Sequence, residues 1–145
     1  MTTYTGTGSF PAAIAFDGTN MWTANENDNG NLGSATKISP TGVVSTYTGT
    51  DYRPDGIAFD GINMWTANNW GSGATKISST GVTTSYRDPA GTADPAGIAF
   101  DGTNMWTVDT QDGSVMKILP TGIMTKYSMP SGARPIAIAF DGINM

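Results

Sequence analysis

The chain has 145 residues, with 12 Asp and Glu against 7 Lys and Arg and a formal net charge of −5, a balance that speaks against nucleic acid as a partner, since its binders carry clustered positive charge. It holds no cysteine and no histidine, and Glu26 is its one glutamate, which removes disulfides, thiolate sites and most acid–base chemistry near neutral pH. The length suggests one domain, and the longest apolar run, residues 136–140, is far too short to span a bilayer.

No basic segment followed by an apolar run opens the sequence, so no signal peptide is expected. The absence of cysteine does not fix a compartment, and an extracellular or cell-surface origin stays open. Residues 1–6, Met-Thr-Thr-Tyr-Thr-Gly, match residues 44–49 and, in part, 124–127. The sequence therefore opens at the last strand of a repeat.

The repeat itself is Pro-x-x-Ile-Ala-Phe-Asp-Gly-x-Asn-Met. It stands at residues 11–21, 54–64, 95–105 and 135–145, with its prolines 43, 41 and 40 residues apart. A period of ~40–45 residues carrying four short strands is the signature of propeller blades. The expected fold is an all-β β-propeller of four-stranded antiparallel blades at residues 11–48, 54–87 and 95–128. A split fourth blade would be made of residues 1–6 and 135–145.

Within the repeat, Ile14 and Phe16 alternate with Ala13 and Ala15, so a large and a small apolar face lie on opposite sides of one strand. Both are expected to be buried, the large face of one blade against the small face of the next. Asp17-Gly18-Thr19-Asn20 reads as a tight hairpin. A sharper reading would make Asp17, Asp60, Asp101 and Asp141 a ring of metal ligands, and the turn is the simpler account. Trp22, Trp65 and Trp106 follow on the second strand and read as core, with the indole N–H reaching a partner.

Polar, Gly-rich loops come next. Asn25-x-Asn27-x-Asn29-Gly30 faintly echoes a calcium loop, but it lacks the leading aspartate, and its twelfth residue is Thr36 rather than glutamate. A solvated hairpin loop is expected, with no metal and no cofactor. Trp70 has no counterpart in the other repeats and is either a binding contact or a local lid. Lys37, Lys76 and Lys117 on the third strands are expected to snorkel at an edge or face solvent. Thr-Gly turns lead to fourth strands ending at Tyr47, Tyr86 and Tyr127.

In this arrangement the loops between strands two and three share one rim with the connectors between blades. That rim is expected to carry Asn25, Asn68, Asn69, Trp70, Asp109, Gln111 and Asp112 together with Arg53, Arg87 and Arg134. Such a mixed polar surface suits carbohydrate, peptide or protein recognition. A merely solvated rim is the plainer alternative.

The motif Pro-x-Gly-Ile-Ala-Phe-Asp-Gly-x-Asn-Met-Trp-Thr-Ala-Asn, followed by Lys-Ile and Thr-Gly, resembles blades of the virginiamycin B lyase (streptogramin lyase) type and, more distantly, NHL-type propellers. The resemblance covers almost the whole chain. It implies a seven-bladed fold and, in the lyases, linearisation of a cyclic antibiotic with magnesium, a glutamate ligand and a catalytic histidine. With no histidine in the sequence, that role falls on no position here. Glu26 sits in no matching motif and is assigned no metal.

The expectation is therefore a non-enzymatic binding or scaffolding propeller. The alternatives are a lyase-like enzyme fragment whose catalytic blades lie elsewhere, and a designed or excerpted structural array. Open blade ends are association hazards, and head-to-tail contacts close into rings when the rotation allows. A homo-oligomer is expected, most simply a dimer, closed at Tyr4, Phe140 and Met145.

Overall fold

A computed structural model describes residues 4–6, 8–26, 32–71 and 73–145. Among these residues there are twelve strands and no helix. Blade one comprises β1 (Pro11–Phe16), β2 (Met21–Asn25), β3 (Ser34–Ile38) and β4 (Val44–Thr48). Blade two comprises β5 (Pro54–Phe59), β6 (Met64–Asn68), β7 (Gly73–Ile77) and β8 (Thr83–Arg87). Blade three comprises β9 (Pro95–Phe100), β10 (Met105–Asp109), β11 (Ser114–Ile118) and β12 (Met124–Ser128). Each blade is a separate antiparallel sheet with its strands in chain order.

Every first strand opens with a proline and a bulge. The ladder skips Ala12, Asp55 and Ala96. Proline cannot donate to a ladder, so it is confined to strand starts, edges and bulges. The first strands of consecutive blades lie side by side, β1 against β5 and β5 against β9, each also touching the neighbouring second strand.

The alternation of large and small side chains sets the packing between blades. Trp22, Ala24 and Ala35 of blade one meet Ile57, Met64 and Ile77 of blade two, flanked by Ala13, Ala15 and Phe59. Trp65, Ala67 and Ala74 of blade two meet Ile98, Met105, Met116 and Ile118 of blade three in the same manner. The core thus lies between sheets rather than within one. The expectation that both faces of every first strand are buried fails at blade one. Ile14 and Phe16 are 65% and 57% exposed, because their large face has no described blade before it.

Within each blade an aromatic pair spans the third strand. Trp22 stacks on Tyr47 at 5.2 Å between ring centroids, Trp65 on Tyr86 at 5.1 Å and Trp106 on Tyr127 at 5.9 Å. Lys37, Lys76 and Lys117 sit opposite these tryptophans in the ladder. Their ammonium groups stand 5.7, 5.8 and 5.3 Å from the indole centroids. The lysines therefore cap the aromatic pairs by cation–π attraction rather than simply facing water.

A second contact joins each tyrosine to the following blade. Gly42, Gly81 and Gly122 hold φ near +85° (84°, 86° and 87°), which any side chain would resist. A Cβ at these positions would stand 3.0 Å from Tyr4, 2.7 Å from Tyr47 and 2.9 Å from Tyr86. Tyr4 thus occupies on blade one the place that Tyr47 and Tyr86 occupy on blades two and three. Residues 1–3 of the expected opening strand lie outside the described residues.

Residues 135–145 of the expected split blade take no part in a ladder. A first strand pairs only with its own second strand, and Met145 stands where a second strand would begin. The segment nonetheless lies where the next first strand belongs. A Cβ on Gly97 would meet Ala137 Cα at 2.9 Å and the Ile136 carbonyl at 3.0 Å, just as one on Gly56 would meet the Ala96 carbonyl at 2.8 Å.

Candidate functional site

Three of the four hairpin aspartates are engaged through both carboxylate oxygens, and Asp141 accepts the amides of Ile143 and Asn144. Asp17 Oδ1 accepts the amides of Thr19 and Asn20 at 2.8 and 2.6 Å, and its Oδ2 accepts the Trp22 indole N–H at 2.7 Å. Asp60 and Asp101 repeat the pattern with Trp65 and Trp106. Burial pushes Asp17 and Asp101 up, but the donors outweigh it and hold both at about 2. These carboxylates lock turns to tryptophans, and the metal-ring reading is set aside. Among the described residues no group of three or more His, Cys, Asp or Glu could hold a metal.

Three of the expected rim residues close the second strands of their blades. Asn25, Asn68 and Asp109 end β2, β6 and β10 and are buried. Asn25 Oδ1 accepts from Thr23, and its amide donates to Ser34 and Thr36 at 3.1 and 3.0 Å. Asn68 accepts from Thr66 and donates to Thr75. A buried amide must satisfy both ends, and the threonine rows of the strands do so here. Asp109 instead accepts the amides of Gln111, Asp112 and Asp94. Of the faint calcium motif, Asn27, Asn29 and Gly30 lie outside the described residues, and the Asn25 side chain is spent inside its own blade.

Two more expected rim residues tie blades together. Arg87 pairs with the buried Asp51 at 2.5 Å. Asp112 shares Lys126 with Asp88, which Lys126 meets at 3.2 Å. Burial raises Asp112, but Lys126 holds its carboxyl low, while Asp112 and Asp88 hold the Lys126 ammonium above its usual value.

The remaining rim residues gather into two neighbouring places. In the first, Arg53 Nε meets Glu26 at 3.1 Å and Asp55 at 3.4 Å. Its guanidinium lies 5.3 Å from the ring centroid of Trp70, which is 64% exposed. Trp70 therefore caps an ion cluster and still offers most of its surface. Asp55 is the bulge residue of β5. Burial, opposed by Arg53 and reinforced by the Glu26 carboxylate, lifts it to about 6.

In the second place Asn69, Asp94, Thr110, Gln111 and Arg134 line a cleft of about 320 Å³. The structure thus brings Asn69, Gln111 and Arg134 together as expected and adds Asp94 and Thr110. A signal for these two was present. Asp94, like Arg53 and Arg134, immediately precedes a first-strand proline, and Thr110 and Asn69 each follow the end of a second strand. The backbone joins these registers, with the Asn69 amide donating to the Arg53 carbonyl at 2.8 Å and the Thr110 amide to the Asp94 carbonyl at 3.4 Å.

No protein-family model matches the chain, and no curated protein matches it. Solved structures do. A streptogramin B lyase structure aligns at TM-score 0.75 and 25% identity, over 89% of this chain and 44% of that one. Virginiamycin B lyase from Staphylococcus aureus aligns at TM-score 0.75 and 24% identity, over 92% of this chain and 46% of that one. Hydrazine synthase from Kuenenia stuttgartiensis aligns at TM-score 0.68 and 17% identity, over 94% of this chain and 40% of that one. The chain has a virginiamycin B lyase-like propeller fold and spans less than half the length of each of these proteins.

Proposed function

We propose that the chain is a non-enzymatic propeller module that closes head to tail with a second copy and presents its connector rim to a polar ligand. One observation carries the closure. The blade-to-blade interface occurs twice inside the chain, and its two unmatched halves stand open at opposite ends. Blade one offers the exposed large face of Ile14 and Phe16, and at the other end Trp106 and Tyr127 of blade three and Phe140 of residues 135–145 line a cleft of about 460 Å³. In the proposed dimeric ring, residues 135–145 of one protomer and Tyr4 of its partner form a composite blade, with Phe140 and Met145 at the seam. Light scattering at micromolar concentration tests this. A multiple of the 15.1 kDa chain mass is expected, and a stable compact monomer rejects the ring.

The likeness to streptogramin lyase supports a second reading, in which these blades are part of a lyase whose catalytic residues lie in other blades. Magnesium-dependent turnover of a streptogramin that appears only when this chain is joined to further blades bearing His and Glu would favour that reading. The absence of histidine and the engagement of Glu26 by Arg53 favour the binding module.

A further inference from the structure

Four residues precede the first-strand prolines: Phe10, Arg53, Asp94 and Arg134. Two are arginines in one register, and their surroundings differ in a way that bears on binding. Arg53 is neutralised by Glu26, which follows the second strand of the preceding blade, and by Asp55, at the bulge of its own first strand. At Arg134 the residue equivalent to Glu26 is Thr110, and the one equivalent to Asp55 is Ile136. Both carboxylates have been replaced. Among the described residues the Arg134 guanidinium makes no ion pair and no hydrogen bond.

Arg134 lines the 320 Å³ cleft, and Asp94 lines it too. The backbone of Asp94 is engaged, its amide by Asp109 and its carbonyl by Thr110. Its carboxylate has no partner among the described residues. Thr110 donates its hydroxyl proton to the Pro135 carbonyl at 2.9 Å, which leaves its oxygen lone pairs free to accept. The side-chain amides of Asn69 and Gln111 complete the lining, and they supply both donors and acceptors.

We propose that this cleft binds a small zwitterion of amino-acid or dipeptide size, with its carboxylate on Arg134 and its ammonium on Asp94. The guanidinium presents a planar fork that matches a carboxylate. Two opposite charges facing one cleft select against ligands of a single sign, which would meet one like charge whichever way they entered. The volume stands at the lower end of ligand sites, which run from about 300 to 1,000 Å³, and suits a ligand of this size. The proposal deepens the reading of the rim as a binding face. It does not depend on ring closure, since all five residues belong to one chain.

The test is a nitrogen-15 titration of the intact chain at pH 7, following the Arg134 Nε–H and the amide groups of Asn69 and Gln111. The probes are glycylglycine, acetate, methylammonium and glucose. Saturable shifts with glycylglycine are expected. Arg134→Gln and Asp94→Asn should each weaken its binding roughly tenfold or more, the scale of a hydrogen bond to a charged group. Acetate and methylammonium, each half of the ligand, should bind at least about tenfold more weakly than glycylglycine. Arg134→Lys, which keeps the charge but loses the fork, should fall between wild type and Arg134→Gln. Val82→Thr, at an exposed turn elsewhere, should change nothing. The proposal is overturned if glycylglycine causes no saturable shift, if Arg134→Gln leaves its binding unchanged, or if acetate or glucose binds as tightly. Light scattering on the same sample reads closure separately, so a failure of binding and a failure of assembly are told apart.

Discussion

The indole N–H of Trp65 donates to the Asp60 carboxylate at 2.6 Å across the hairpin that joins β5 to β6. The other oxygen of that carboxylate accepts the amides of Ile62 and Asn63. One side chain therefore fixes the turn and satisfies a buried tryptophan. Asp60→Ala strands the indole N–H in the core and should cost about 1–3 kcal/mol. Urea unfolding of the variant measures it. A loss no larger than that of an exposed-loop substitution would show that the turn does not need the carboxylate. Asp141→Ala, whose turn has no tryptophan after it, should have little effect.

The same turns set the acid limb of stability. Burial raises Asp17 and Asp101, but the amides, the Asn side chains and the indoles outweigh it, lowering both from 3.8 to about 2. A depressed folded-state value means that the stabilisation is complete above pH 3.8 and is lost as pH falls toward 2. Unfolding free energy should decline across that window. Asp17→Asn and Asp101→Asn should each flatten the decline, as urea melts at pH 5, 4, 3 and 2 would reveal.

Asp55 titrates in the opposite sense. Burial lifts it to about 6, Arg53 opposes the rise and Glu26 adds to it. A raised folded-state value contributes stability below pH 3.8 that is lost as pH climbs through 6. Asp55→Asn should remove that loss and leave the protein more stable than wild type at pH 7. A variant less stable at pH 7 would mean that the charge attraction to Arg53 outweighs burial.

Much of this was legible because the chain repeats. Four copies of one motif at near-constant spacing gave the blades, and Ile-Ala-Phe alternation gave the large-against-small packing between them. Asp–Trp pairs five residues apart recur in three repeats, which is the signal for a carboxylate–indole lock. What stayed hidden was long-range. Nothing in local spacing tells that Tyr47 lands on Gly81 of the next blade, since that contact depends on how sheets fan about an axis. Asn25 and Asn68 looked like loop residues by composition, and only the Thr23/Thr36 and Thr66/Thr75 hydroxyls around them explain their burial. The cleft at Arg134 was legible only in part: Asn69, Gln111 and Arg134 were expected on one rim, but Asp94 and Thr110 join them through contacts between two successive repeats.

The two tryptophans of blade two should respond very differently to removal. Trp65 is 5% exposed between Asp60, Lys76 and Tyr86, whereas Trp70 is 64% exposed over Arg53. Trp65→Ala should cost about 3–5 kcal/mol. Trp70→Ala forfeits mainly a surface cation–π contact of about 0.5–1 kcal/mol. Chemical denaturation of both variants checks this, and equal losses would contradict the strand and loop placements.

Ile14 and Ile57 hold the same place in consecutive repeats, and a charge introduced at each should have opposite consequences. Ile57 is 8% exposed within the interface between blades one and two, whereas Ile14 is 65% exposed on the open face of blade one. Ile57→Glu buries an unpaired carboxylate and should cost at least ~3 kcal/mol, enough to unfold a marginally stable chain. Ile14→Glu leaves the carboxylate in water in a single protomer, so its effect on folding should lie within about 0.5 kcal/mol. In a head-to-tail ring the same residue would face the end of a partner, and its charge would be buried there. The variant should then remain folded by circular dichroism while its mass in solution falls from a multiple of 15.1 kDa to that single value. Phe16→Glu, on the same open face, should behave alike. If Ile14→Glu assembles as wild type does, the open face of blade one is not the seam. If the wild-type chain is itself a compact monomer at micromolar concentration, its ends are covered by its own residues, and ring closure with a second copy is ruled out.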